Sequence, residues 1–434
     1  MQWLIFGTVL LATALQPTGR FLFDARGYWT AAGALIGSSE PIPEGFWDLR
    51  GVSSAVVFVP AQVVTRLLGA DIAGFAVLLQ NSLLIAAVAA FLAPAILSPW
   101  ARLGSVSRWV TAGTLAFVAR GFAPYPLMDL YAAAAVLLGI YLLYRRSWLP
   151  LLGSGLLLGS AFNMRPAYLV PIAIVAIIAI VVLRFRALLV TLGAFLALVP
   201  QMAYLAVTHQ GFGLTPVAST ALIGLQTSYA SYTVRYDTAL ASHLPQQFFC
   251  SPTMAHAVSD PPLTISGLAG TFLTNLPHSA IFGLEKIGAS LHWPLSIPYL
   301  VPNPGVNALV ALIVTSVTVV GTVRLLSLPS DRGPRAARGL MAALVVGTVS
   351  TLVSSATEAR FALLVALIGA IGLGLVVEHP FAVRTTPRRS NRDILALALI
   401  ALLTIGLLLV GHLGLSRPAP PGGVTVNTCT QAIQ

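Results

Sequence analysis

The hydrophobic positions of this chain fall in long runs broken by short polar stretches, and most runs approach the roughly 20 residues that a helix needs to cross a bilayer. They predict an all-α polytopic membrane protein of about eleven transmembrane helices, near 2-18, 72-97, 107-120, 129-144, 147-163, 166-184, 187-207, 305-324, 338-356, 361-378 and 393-412. The stretch from Val52 to Leu68 is also apolar, but it is short, is flanked by Arg50 and Asp71, and contains Pro60 and Arg66. It predicts a helix lying in the membrane interface. The first run has no basic start and no small-x-small site before Arg20, so it reads as a retained helix and not a cleaved signal.

Two polar segments are too long to be simple turns, about Gly19 to Asp71 and about Thr208 to Pro304, and long ordered loops usually carry function. The second holds five of the seven histidines (His209, His243, His256, His278, His292), with many tyrosines and prolines. It predicts a small irregular cap with short helices. The chain then divides into an N-terminal membrane module, 1-207, with its first loop at 19-71; the cap, 208-304; the C-terminal helices, 305-412; and a tail, 413-434. No internal repeat stands out, and no two Gly/Pro-broken helices occupy matching places in two halves, as they do in many transporters.

Composition agrees: 57% of residues are hydrophobic and 9% charged, with a mean hydropathy of +0.88, which excludes an ordinary soluble globule. The net charge of +11 would suggest nucleic acid in a soluble protein. Here its placement argues orientation instead. Arginines crowd the short loops at Arg102 and Arg108, Arg145 and Arg146, Arg184 and Arg186, Arg324 to Arg338, and Arg384 to Arg392. By the positive-inside rule these loops face the cytoplasm. That puts the N-terminus inside and the C-terminus outside, with Asp24, Asp129, Arg165 and Glu358 on the external side of a multi-pass protein of the cell membrane. The solvated loops Pro329 to Arg338 and Arg384 to Asp393 set topology.

Cys250 and Cys429 are the two cysteines, and both fall in external segments where a disulfide would persist. Spacing leaves a bridge and two free thiols equally open. The histidine spacing matches no metal pattern.

Ionisable groups at the ends of membrane helices are costly to keep near lipid and are functional candidates. The external rim carries Asp24 among Arg20, Arg26, Tyr28 and Trp29, then Glu40, Glu44 and Asp48, then Asp129, Arg165, Glu358 and Arg360. A carboxylate there can take a proton from an attacking hydroxyl, and arginine forks can neutralise a departing phosphate. Each has a plainer reading. Asp24 pairs with Arg20 or Arg26, Arg165 and Arg360 snorkel to headgroups, Asp129 and Asp71 complement helix dipoles, and Glu358 pairs with Arg360.

The order of these features resembles the GT-C superfamily of glycosyltransferases that use polyprenyl-phosphate sugars, including the protein O-mannosyltransferase-like and aminoarabinose-transferase-like families. Four stretches carry the resemblance. Phe23-Asp24-Ala-Arg26-Gly-Tyr28 looks like the acid-x(3)-Tyr signature after the first helix, and Val52 to Asp71 like the interfacial helix before the second crossing. Asp129 to Pro166, with Gly153-x-Gly155-x(3)-Gly159 and Asn163-Met-Arg165-Pro166, looks like the helix pair ending in an Arg-Pro turn. Thr357-Glu358-Ala359-Arg360-Phe361 looks like the late Glu-x-Arg entry into a helix.

The resemblance implies an inverting enzyme of the cell envelope with no cofactor and no bound metal. Asp24 would be its general base, Arg165 and Arg360 the contacts to the donor phosphate, Glu358 a positioning or sugar contact, and Arg26, Tyr28 and Asp129 further substrate contacts. A mannose- or arabinose-like sugar would pass from a polyprenyl-phosphate donor in the bilayer to an acceptor whose nature stays open. Two departures stand out: Ala25-Arg26 replaces the usual second acid, and Ser53-Ser54 replaces a Pro-Pro-Leu start. A flippase for a lipid-linked sugar would need polar groups deep in the helices, where Gln80, Asn81 and Gln201 are few. A surface-polysaccharide polymerase or ligase would need more arginines in the large loop than Arg235.

Overall fold

The structure is a computed structural model that describes residues 1-145, 147-209, 211-238, 246-258, 260-292, 298-299, 303-328, 336-381, 387-420 and 424-431. Arg146, His243, Pro329 to Arg335 and Arg384 lie outside the described residues. The chain forms two compact units, one of Met1–Ser219 with Leu328–Gly347, the other of Thr220–Ser327 with Thr348–Gln434.

The first unit starts with α1 (Gln2–Ala14), followed by four short helices: α2 (Phe23–Leu35), α3 (Phe46–Leu49), α4 (Val52–Val56) and α5 (Val59–Leu68). None of the four exceeds 13 residues, about 20 Å of helix, too short for the hydrocarbon core. The Val52 to Leu68 run is broken between α4 and α5, and α5 leaves Val63, Val64, Leu67 and Leu68 exposed. Longer apolar helices follow: α6 (Ala73–Ala87), continued through a π turn into α7 (Ala93–Leu97), then α8 (Ser105–Ala119), α9 (Met128–Arg145), α10 (Trp148–Met164), α11 (Leu169–Leu183) and α12 (Ala187–Thr208). α10 and α12 pack along each other through small residues. A Cβ on Gly155 would stand 2.0 Å from the Val190 carbonyl oxygen, and one on Gly193 would stand 2.1 Å from that of Leu152. Van der Waals packing at such close approach is the main attraction between helices where lipid surrounds them.

The second unit holds α13 (Ser219–Ala230), the antiparallel strands β1 (Thr233–Asp237) and β2 (Gln247–Cys250), and the helices α14 (Pro252–Ala257), α15 (Ile265–Thr274), α16 (Leu276–Leu291) and α17 (Pro304–Ser327). α18 (Ala336–Ser354), whose first part to Gly347 belongs to the first unit, precedes α19 (Leu363–Glu378), α20 (Pro387–Leu415) and α21 (Val426–Gln431). The expected cap is more ordered than a set of short helices. β1 pairs Arg235 with Phe249 of β2, and β2 takes the tail as a further partner, Cys250 N–H donating to the Arg417 carbonyl (2.9 Å) and Ala419 N–H to that of Phe248 (2.8 Å). α16 runs along the end of α20, with Gly288 against Gly411 and the His292 ring nitrogen Nε2 2.9 Å from the Leu408 carbonyl. Arg235 closes the C-terminal end of α16, donating to the carbonyls of Ala289 and His292 while it pairs with Asp237 at 2.5 Å. It is spent on structure.

Among the described residues, seven helical segments are long and apolar enough to cross a membrane: Ala70–Leu97, Met128–Arg145, Pro166–Thr208, Gly305–Ser327, Ala336–Ser354, Ala359–Glu378 and Ile394–Leu415. The protein is an all-α, polytopic membrane protein apart from its small hairpin. Pro166–Thr208 contains both α11 and α12, divided by a 3₁₀ turn at Arg184–Arg186 where Arg184 has a φ of 53°. Every run expected to cross contains a helix, but α1, α8 and α10 are not among the seven.

Cys250 and Cys429 form a disulfide with Cα atoms 5.4 Å apart, joining β2 to α21. Around it, Tyr232, Ala255 and Val424 make a small core. At the other end of the second unit, Arg324, the last-turn cation of α17, donates to the carbonyls of His379 and Pro380 just beyond α19. A cation there satisfies orphan carbonyls and complements the helix dipole.

Candidate functional site

α2 places Asp24 and Tyr28 one turn apart, so both project from one face. Phe46 of α3 packs edge-on against the Tyr28 ring (centroids 5.7 Å), and Arg50, directly after α3, lays its guanidinium over the same ring at 5.9 Å. From there Arg50 Nη2 pairs with Asp24 Oδ1 at 2.7 Å, both side chains partly exposed at 31% and 25%. The plain reading of Asp24 as a partner of Arg20 or Arg26 is therefore replaced by a partner on another element. Arg26, two residues from Asp24, points elsewhere on α2 and is exposed.

Asp129, in the first turn of α9, pairs with Arg165 at the C-terminal end of α10: Arg165 Nη2 is 2.9 Å from Asp129 Oδ1, with side chains only 9% and 2% exposed. Asp129 is thus more than a charge for its helix dipole. Burial pushes the Tyr28 hydroxyl above its ordinary value; Arg50 pulls it back down, Asp24 raises it again, and Arg165 and Asp129 act more weakly in opposite senses. The phenol stays protonated, within electrostatic reach of both acid–arginine pairs.

Backbone amides hold this arrangement. Val52 N–H and Ser53 N–H, the first of α4, donate to Gln201 Oε1 of α12 (3.0 Å) and Asn163 Oδ1 of α10 (2.9 Å), and Asn163 Nδ2 reaches Gln201 Oε1 at 3.3 Å. Gln80 is used alike: it accepts from Ala61 N–H (3.0 Å) and donates to the Val57 carbonyl and the Tyr131 hydroxyl, both at 2.8 Å. Tyr131 donates to Asn81, whose amide donates to the carbonyls of Phe122, Ala123 and Tyr125. The polar residues inside the helices therefore tie down loop backbone.

The second unit carries the other predicted pair. Arg360 forks onto Glu358, through Nε to Oε2 and through Nη2 to Oε1 at 3.1 Å, with both residues buried on the turn into α19. β1 adjoins this turn, since Tyr236 N–H donates to the Thr357 carbonyl at 2.9 Å. Of the sequence-predicted residues, Asp24, Tyr28, Asp129 and Arg165 come together in the first unit, Glu358 and Arg360 come together in the second, and Arg26 joins neither group.

Sequence reasoning passed over Arg50 as a mere flank of the interfacial run. Its only signal is a cation placed immediately before Gly51 at the start of α4. Of the histidines, His209 faces Asp48 (3.2 Å), His256 and His278 are exposed, and His292 is held neutral by burial that pulls it down to about 4. Among the described residues no group of three His, Cys, Asp or Glu is placed to hold a metal ion. No protein-family model matches this chain, and neither a curated protein nor a solved structure does.

Proposed function

We propose that this membrane protein is a glycosyltransferase of the GT-C type, moving a mannose- or arabinose-like sugar from a polyprenyl-phosphate donor to an acceptor at the external face. The observation that carries the reading is the pair of acid–arginine bridges, one of them with its guanidinium over the buried Tyr28 ring and both within electrostatic reach of its hydroxyl. Of the acids in the two pairs, Asp24 is the partly exposed one and Asp129 the buried one. Asp24 therefore acts as the base. Its carboxylate takes the acceptor O–H proton as the oxygen bonds to the anomeric carbon, and the carbon–oxygen bond to phosphate breaks with its electron pair leaving on polyprenyl phosphate. Attack opposite the departing group inverts the anomeric centre.

Arg50, the more exposed of the two guanidiniums, joins Arg165 as a partner for the departing phosphate, and Tyr28 serves as a neutral substrate contact. The buried Asp129–Arg165 pair fixes the framework beneath. Two independent signs support this orientation: a disulfide is kept where the compartment is oxidising, and arginine-rich ends stay in the cytoplasm. Within the second unit the disulfide and Arg324 lie at opposite ends, as that orientation requires. Transport is less well supported, because Gln80, Asn81 and Gln201 are engaged with backbone groups.

The test follows a radiolabelled sugar from a panel of polyprenyl-phosphate sugars in membranes of wild type and Asp24→Asn. Transfer by wild type, lost in the variant with donor binding retained, is expected. An Asp24→Asn protein with full turnover would sink the assignment.

A further inference from the structure

We infer that Asn163 and Gln201 are positioning residues of the site, a two-point latch that holds the Gly51–Ser53 backbone and through it fixes Arg50 between Asp24 and Tyr28. The inference rests on the reading of Asp24 as the base, and adds how its arginine partner is kept in place.

The argument begins with an unsatisfied need. The first N–H groups of any helix have no intrahelical acceptor, and burying them unpaired is costly. α4 is only five residues long, and no side chain of its own N-cap, Gly51, serves them. The acceptors come instead from two apolar membrane helices, Gln201 Oε1 for Val52 and Asn163 Oδ1 for Ser53. Both amides are nearly inaccessible, at 1% and 2% exposure, so water does not substitute for them.

Contact is as close as chemistry permits, since a Cβ on Gly51 would stand 2.2 Å from the Asn163 carbonyl oxygen. The next residue back is Arg50, whose guanidinium lies over Tyr28 and on Asp24. Two residues on from Asn163 is Arg165, the partner of Asp129. One turn of α10 thus holds both ion pairs, one directly and one through the latch. Gln201 follows Pro200 within α12, where proline removes a ladder hydrogen bond and lets the helix bend. The latch attaches directly beside that proline.

Val52→Pro tests the latch without touching a membrane helix. It deletes the N–H that Gln201 accepts, at the first helical position, where proline is well tolerated. Gly51, at φ −67° and ψ 145°, already has the extended conformation required before proline. Gln201→Met removes the acceptor at similar volume, and Gln201→Glu retains it.

In protein reconstituted in nanodiscs, Val52→Pro and Gln201→Met should each speed hydrogen exchange of the Ser53 amide about fivefold, as loss of one hydrogen bond implies. They should also speed labelling of Asp24 by a water-soluble carbodiimide, while Gln201→Glu keeps wild-type values. Neither readout needs a substrate, so they judge the latch even if no sugar is transferred. In the transfer assay the same two variants should lose kcat with the donor KM kept. A lower Tm with Ser53 exchange and Asp24 labelling at wild-type rates would overturn the proposal and leave the amides a purely structural role. Should Gln201→Met fail to fold, Val52→Pro alone decides between these outcomes.

Discussion

Asp129 and Arg165 show how much a single buried pair controls. With both side chains at least nine-tenths buried, removing one charge strands the other in low dielectric and costs about 3–5 kcal/mol, whereas an apolar pair of similar volume is tolerated. Arg165→Met should therefore lower the thermal midpoint sharply, and Asp129→Leu with Arg165→Met should recover most of it. If the pair contributes only to stability, the double variant will also recover transfer; if Arg165 meets the donor phosphate, it will not. Thermal unfolding beside the transfer assay separates the two.

Lys286, the chain's one lysine, is a second such residue. It lies fully buried, its Nζ donating to the Ala230 carbonyl at 3.0 Å above the Phe282 ring. Burial pulls it down to about 7, against roughly 10.4 in an unfolded chain. Between those values the unfolded state binds a proton that the folded state has released, so stability rises with pH across that window and the penalty is fully present below it. The thermal midpoint should climb from pH 7 to pH 9.5 in wild type and stay flat over that range in Lys286→Met. The acids and arginines of the rim were legible in the sequence because charges are so few in it. Their partners were not: Arg50 is 26 positions from Asp24, and only the packing of α3 against α2 brings them together.

At the scale of elements, periodicity located the helices well, because an apolar run of membrane length has few other ways to satisfy its backbone. It could not tell what the glycines of α10 were for. Gly155 and Gly159 entered as part of a family signature and turn out to mark the close crossing with α12. Nor could it settle the cysteines, since a bridge across 179 positions depends on the tail folding back onto β2. A maleimide reagent should find no thiol in the denatured, unreduced protein and two after reduction. Reduction should also make the 416–420 segment more susceptible to protease, because the disulfide limits how far the tail can leave the hairpin. A tail equally protected with and without reduction would show that its strand pairing suffices.

For the whole molecule, orientation makes the simplest prediction. Ser416 and Ser327 lie exposed toward opposite ends of the second unit. An impermeant thiol reagent on intact cells should label Ser416→Cys and leave Ser327→Cys untouched; the reverse pattern would invert the topology and move Asp24 to the cytoplasm.

The sequence by itself determined that the chain is helical, apolar and membrane-embedded, because run length and charge scarcity are local properties that a bilayer reads directly. It also singled out the few ionisable residues placed at helix ends. Only the tertiary structure decided which charges pair, that Gln80, Asn81 and Gln201 serve loop backbone, and that the large loop forms a hairpin with a disulfide at its second strand. Those are contacts between residues far apart in the chain, the disulfide tying the hairpin to the distant tail and not closing the hairpin itself, and which of the many possible pairings forms is set by how the helices pack.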